Sequence, residues 1–490
     1  MKKPEELYYT IRSLDPHELR YFRLFSQRHV IGEENSYLRL FDLILEHEDM
    51  TDSKLVSEHK IKNLPRSKQY LLSLLHKALF QYHDNETWQA EVKRFTRMAE
   101  IFLDKGEFAL AKENAERATK IAEEYLLGAE LLRCNDLQYQ LRNRGGDTGL
   151  MKDYPHSAID DIHTAKQLSE IIHARVLLEK IKKIDKENGA SQKTETGDNY
   201  ENIFKEINYE AKNISENAEA EILLKTALMF YYYNHSKHEE FFLLCQEVLA
   251  IYKKNPGLIK KDEYRYLGSL QNIIICSVRT NRKKEFVLYA NEFKNYPTKS
   301  RSLLYYIFVR FSNASVYRFV EHKDFSGITN FLPYLNEGLK KFDQFNPVAL
   351  SSLYYSTCIC LIQIKNYKEA LRWTNKIIGG KEFLFNTAIF RPAMVINCIA
   401  NFELEEFDLL ISNLKSFERL NEKKKEKEKY ETIFFKELLK IVNTKNKVKQ
   451  KEFFSNLKTS LENELIKNKQ TIIMYGFDLI EWCGQQANKL

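Results

Sequence analysis

Along most of the chain, apolar residues return every three or four positions, the spacing that lines one face of an α-helix. Leu19, Phe22 and Phe25 follow a helix start written as Asp15-Pro16-His17-Glu18. That start has a carboxylate cap, proline at the first helical position and Glu at the third. The same periodicity predicts helices over 35–48, over 51–59 with Thr51 or Asp52 as cap, and over 67–82, opened by Pro65 and Ser67. These four helices are read as an N-terminal module, residues 1–90. Residues 91–187 are read as the first helical hairpins. Two long helices and the start of a third end near Arg144-Gly145-Gly146-Asp147, and another helix covers 157–186. Residues 188–200 are polar and are read as a flexible loop. Residues 201–490 form the rest of the array, with breaks near Pro256-Gly257, Pro297, Pro347 and Gly379-Gly380.

Part of this pattern repeats. Residues 95–122 place Phe95, Met98, Ala99 and Phe102 on one helix, then Lys105-Gly106-Glu107-Phe108, then Ala111, Ala115 and Ala118. Small residues at these spacings let a second helix lie close against the first. Residues 354–377 repeat the arrangement through Tyr354, Cys358, Leu361, Asn366-Tyr367, Ala370, Thr374 and Ile377. Weaker copies align on the residue that opens each second helix: Phe241, Phe286, Ile328, Ala370 and Leu410. A further unit opens at Phe454. Ser312, Ser315, Asn397 and Asn401 depart from the pattern at first-helix positions. Over 95–490 the chain resembles the tetratricopeptide class of helical repeats, with a period longer than is usual for that class. The resemblance implies an all-α, right-handed solenoid of antiparallel helix pairs, with the N-terminal module as its cap.

Composition agrees. Gly and Pro together number 25 of 490 residues, about 5% where ordinary usage gives about 12%. Sheets and phosphate-cradling loops need more of both. The most apolar run, 303–311, is short and broken by Arg310, so no membrane span is expected. Met-Lys-Lys-Pro-Glu-Glu at the N-terminus lacks the apolar stretch of a signal peptide. Seven cysteines, with no CxxC pair, read as core thiols of a cytoplasmic protein. The net charge is +7, and residues 421–470, with 14 Lys, 8 Glu and no Arg or Asp, carry +6 of it. The run 422–429 reads as a solvated helix face of alternating charge.

Candidate chemistry is sparse. No glycine-rich phosphate loop, HExxH, nucleophile elbow or kinase motif occurs. His235 and His238 have a helical metal-pair spacing but fall at an expected inter-helix turn. His163 and His173 do not share a face. No catalytic residue, metal site or cofactor is assigned, and no enzymatic activity is expected. The repeat resemblance instead implies a groove lined by the first helices. Its peptide-binding candidates are Phe230, Tyr233, Asn234, Gln271, Arg279, Arg310, Asn313, Tyr317, Tyr355 and Gln363. Rings supply contact area, while amides and guanidinium groups pair with a peptide backbone. The expected function is a cytoplasmic scaffold for a protein or peptide partner. The alternative partner is nucleic acid, met by the basic 421–470 segment or by 51–82 read as a helix-turn-helix, with Arg66, Lys68 and Lys77 at phosphates.

Overall fold

The computed structural model describes residues 6–27, 36–47, 51–61, 63–84, 87–145, 154–188, 195–214, 216–343, 347–380, 387–422, 430–468 and 477–490. Among these the regular elements are twenty-four α-helices and one 3-10 helix, with no strand. The first nine are α1 (Glu6–Ser13), α2 (Pro16–Gln27), α3 (Ser36–Glu46), α4 (Asp52–Ser57), α5 (Leu64–His83), α6 (Trp88–Asp104), α7 (Phe108–Glu124), α8 (Gly128–Gly145) and α9 (Tyr154–Asn188). The next eight are α10 (Glu195–Asn213), α11 (Ala218–Asn234), α12 (His238–Lys254), α13 (Pro256–Lys261), α14 (Glu263–Arg279), α15 (Lys283–Lys294), α16 (Arg301–Glu321) and α17 (Gly327–Lys341). Then come α18 (Ser351–Gln363), α19 (Tyr367–Ile378), α20 (Thr387–Glu403), α21 (Phe407–Glu422), α22 (Tyr430–Asn443), α23 (Lys447–Asn468) and α24 (Leu479–Lys489). α10 takes up 195–200, part of the segment read as a loop. Of the alternating-charge run, 423–429 lies outside the described residues.

The chain divides into two compact units. One comprises Met1–Arg175, Ile214–Ala220 and Pro256–Lys261; the other comprises Val176–Asn213, Glu221–Asn255 and Asp262–Leu490. In the first, the start of α2 is the capping box expected from sequence. Asp15 Oδ1 accepts from the amides of His17 (2.7 Å) and Glu18 (2.9 Å), and Glu18 Oε2 accepts from the Asp15 amide at 2.7 Å. An additional helix, α1, precedes it, so the module holds five helices and not four. Leu7 and Ile11 of α1 join Phe22, Phe41 and Leu71 in one core. α7 buries Ala111, Ala115, Ala118 and Ala122, and α6 buries Val92, Thr96, Ala99 and Leu103.

In the second unit, from α14 onward, each helix packs on its sequence neighbour. α14, α16, α18, α20 and α22 also touch one another in succession. A continuous apolar core runs from Phe308 to Ala487. The residues that open the second helix of each copy, Phe241, Phe286, Ile328, Ala370, Leu410 and Phe454, are all buried. Asn397 and Asn401, the departures in α20, are buried in a polar ladder. Asn397 Nδ2 donates to Thr374 Oγ1 (3.0 Å) and Asn375 Oδ1 (3.1 Å), and its Oδ1 accepts from Asn401 (2.9 Å) and Asn413 (3.1 Å). Thus the amides link α19, α20 and α21 where the repeat pattern calls for an apolar side chain.

The turns show the same period. Ser236, Asn281, Lys323, Lys365 and Glu405 all have left-handed backbone, with φ of 56°, 54°, 54°, 61° and 59°. Each stands five positions before the opener of its second helix, from Ser236 before Phe241 to Glu405 before Leu410. The amide after the left-handed residue closes the helix end: Lys237 N to Tyr232 O (2.9 Å), Arg282 N to Ser277 O (2.8 Å), Asn366 N to Leu361 O (2.8 Å) and Glu406 N to Asn401 O (3.0 Å). This is a Schellman closure. In the first unit Gly106 and Leu126 close α6 and α7 in the same way, through Glu107 N to Phe102 O (2.9 Å) and Leu127 N to Ala122 O (2.8 Å).

Candidate functional site

The repeat turns bring three of the ten sequence-derived candidates together. Tyr233 lies near the end of α11, Arg279 ends α14, and Tyr317 lies in the last turns of α16. Arg279 donates through Nη2 to the Tyr233 hydroxyl at 2.7 Å and through Nε to the Tyr317 hydroxyl at 3.2 Å. Its guanidinium carbon lies 4.3 Å from the centre of the Tyr233 ring, within cation–π range. Burial raises the Tyr317 phenol above its ordinary value, although the bond from Arg279 opposes the shift. The phenol therefore stays neutral and keeps its own proton to donate. Tyr233 is exposed, while Arg279 and Tyr317 are half-buried.

Chemically this is a recognition surface. Guanidinium carries five N–H donors in a fixed plane, and the two phenols occupy only part of that set. The ring contact and the two bonds hold the plane in place, so its other N–H groups are preorganised for a carboxylate or a backbone carbonyl.

The other candidates are used differently. Asn234 is exposed, but its Nδ2 donates to Asp185 and to the Tyr200 hydroxyl. The Phe230 carbonyl accepts from Tyr200 at 3.2 Å. Asn313 Nδ2 returns to the Val309 carbonyl of its own helix at 2.9 Å. Arg310 is exposed and lies over the Tyr306 ring at 5.4 Å. Gln271 and Gln363 are half-buried. Tyr355 is only 7% exposed and belongs to the core. Sequence reasoning missed a set of cations seated on rings. Arg282 lies over Phe242 (4.2 Å), Arg318 over Phe286 (5.0 Å), and Lys294 over Tyr334 (4.8 Å) and Phe311 (5.3 Å). The repeat period was the signal that could have paired Arg282 with Phe242, since Phe242 follows the opener of α12 and Arg282 caps α15, the second helix of the next copy.

Elsewhere the chemistry is quiet. All seven thiols are buried. Burial pushes Cys134 and Cys276 up to about 11 and Cys360 and Cys483 up to about 12, so these carry no thiolate at neutral pH. His235 Nδ1 pairs with the Tyr231 carbonyl at 2.8 Å, and its ring stacks on Tyr231 at 4.0 Å. Among the described residues no three His, Cys, Asp or Glu side chains gather as a metal site, and no helix is long and apolar enough to cross a membrane.

In the N-terminal module Lys68 does not present itself to phosphate, as the helix-turn-helix reading expects. It is buried, pairs with Asp52 and lies 4.7 Å over the Tyr8 ring. α5 nevertheless exposes Arg66, Gln69, Ser73 and Lys77. The same helix also exposes Tyr70 and Phe80, so its outer face is mixed. Comparison with protein-family models, curated proteins and solved structures finds no match.

Proposed function

We propose that this chain is a tetratricopeptide-like interaction scaffold of the cytoplasm, a right-handed stack of antiparallel helix pairs that captures an extended peptide of a protein partner. The observation that carries this reading is the Tyr233–Arg279–Tyr317 cluster, which joins three successive repeat positions at an accessible surface. A peptide carboxylate or carbonyl would complete the donor set of Arg279, with the two rings giving contact area. Nothing in the cluster has the activated base or nucleophile that a reaction would require.

Selection of peptides from a random displayed library tests the reading. Peptides enriched on the wild-type chain should bind the Arg279→Ala variant about 10- to 100-fold more weakly, with unchanged melting. Absence of enrichment, or equal binding to both proteins, would overturn it. The exposed Arg66 and Lys77 of α5 support nucleic acid as a second reading. That reading predicts duplex DNA binding that falls steeply with salt and weakens in Arg66→Ala and Lys77→Ala.

A further inference from the structure

A second feature of the same unit lies where the α14–α15 turn faces the end of α16. A cavity of about 310 Å³ is walled by Asn281, Lys283, Phe286, Arg318, His322 and Asp324, among others. It uses none of the three residues of the tyrosine–arginine cluster. Arg318 is half-buried, and its guanidinium carbon lies over the rings of Phe286 (5.0 Å) and Phe319 (5.3 Å). Its Nε–H is buried without an acceptor, and among the described residues Arg318 forms no ion pair. Lys283, on the same wall, also has no ion-pair partner among the described residues. The one carboxylate on the wall, Asp324, accepts from the Ser326 hydroxyl at 3.1 Å.

A partly desolvated guanidinium without a counter-ion is unfavourable, and so is a buried N–H without an acceptor. The two ring contacts hold the Arg318 guanidinium against the wall, and its fork of N–H donors suits a planar or tetrahedral oxyanion taking two hydrogen bonds. Lys283 adds a compact positive charge, and His322 and Asn281 add polar side chains. The volume lies at the lower end of small-molecule sites, about 300–1,000 Å³, so it admits a metabolite-sized ligand and not a folded segment. We propose that this cavity binds a small molecule through an oxyanion group, carboxylate or phosphate, received by Arg318 and Lys283.

Titration calorimetry on the full chain, at ionic strength held constant with sodium chloride, tests this with inorganic phosphate and succinate as separate probes. Saturable binding of either probe is expected. Phosphate alone would identify a phosphorylated ligand, and succinate alone a carboxylic acid. The Kd should rise about tenfold in Lys283→Gln, and binding should vanish in Arg318→Gln. Lys283 is exposed, so its variant keeps the test valid if Arg318→Gln does not fold. No saturable binding of either probe, or wild-type affinity in the Lys283 variant, would overturn the proposal.

Discussion

The pairs α6–α7 and α18–α19 turn the chain in one way and fill their interiors in two. Gly106 and Lys365 both take left-handed backbone, with φ of 77° and 61°. The residues after them share one conformation: Glu107 has φ −86° and ψ 68°, and Asn366 has φ −86° and ψ 67°. In the first pair the buried face of α7 is alanine throughout, Ala111, Ala115, Ala118 and Ala122, set beside Val92, Ala99 and Leu103 of α6. In the second pair the buried face of α19 keeps the small Ala370 and Thr374 but adds Trp373 and Ile377, set beside Tyr354, Cys358 and Leu361 of α18. Trp373 there meets Tyr354 edge-on at 5.7 Å and donates to Glu369 at 3.1 Å. The turn recurs from pair to pair, while the packing chemistry does not.

The alanine face of α7 gives the largest expected effect. Ala111 is fully buried among Ala99, Leu103 and Ala115, so Ala111→Arg would force a long charged side chain into that core. A loss of several kcal/mol is expected, read as a fall in the urea midpoint. A wild-type midpoint would mean that α6 and α7 do not depend on that packing. The opposite operation belongs to the other pair. Trp373 is 1% exposed, and Trp373→Ala should cost about 3–5 kcal/mol through the cavity it leaves. A loss of under about 1 kcal/mol would show that neighbouring side chains collapse into the space.

These contrasts explain what sequence could reveal. Helical class, the capping box at Asp15 and the buried openers of the second helices depend on local spacing, which sequence records directly. The side of α18 that Tyr355 faces was not legible. That helix is buried nearly all round, from Ser351 through Ile362, and a helix apolar on every face has no direction to read. Lys68 was misplaced because its partners, Asp52 and Tyr8, come from other helices. Tyr233, Arg279 and Tyr317 were singled out because they stand at repeat positions, and their mutual bonds were not foreseen. The scarcity of glycine marks only some boundaries. Gly379 caps α19, and Pro256 and Gly257 open α13. The recurring left-handed turns from Ser236 to Glu405 contain no glycine at the left-handed position.

Exchanging the left-handed residues of the two turns gives the smallest effect and the most direct test of their equivalence. A β-carbon in left-handed backbone costs about 1 kcal/mol, and glycine removes the cost while adding freedom to the unfolded chain. Lys365→Gly should therefore stabilise the protein by about 0.5–1 kcal/mol. At Gly106 an added β-carbon would meet nothing within 4 Å. The penalty of Gly106→Ala is thus that of the backbone alone, and it should destabilise by about 1 kcal/mol. Paired denaturant melts of the two variants check this. Opposite shifts of similar size would mean that one strained conformation serves both pairs, independent of what fills their interiors. A loss of stability in Lys365→Gly would mean that the lysine side chain itself holds that turn, and that the two turns share a shape without sharing its cause.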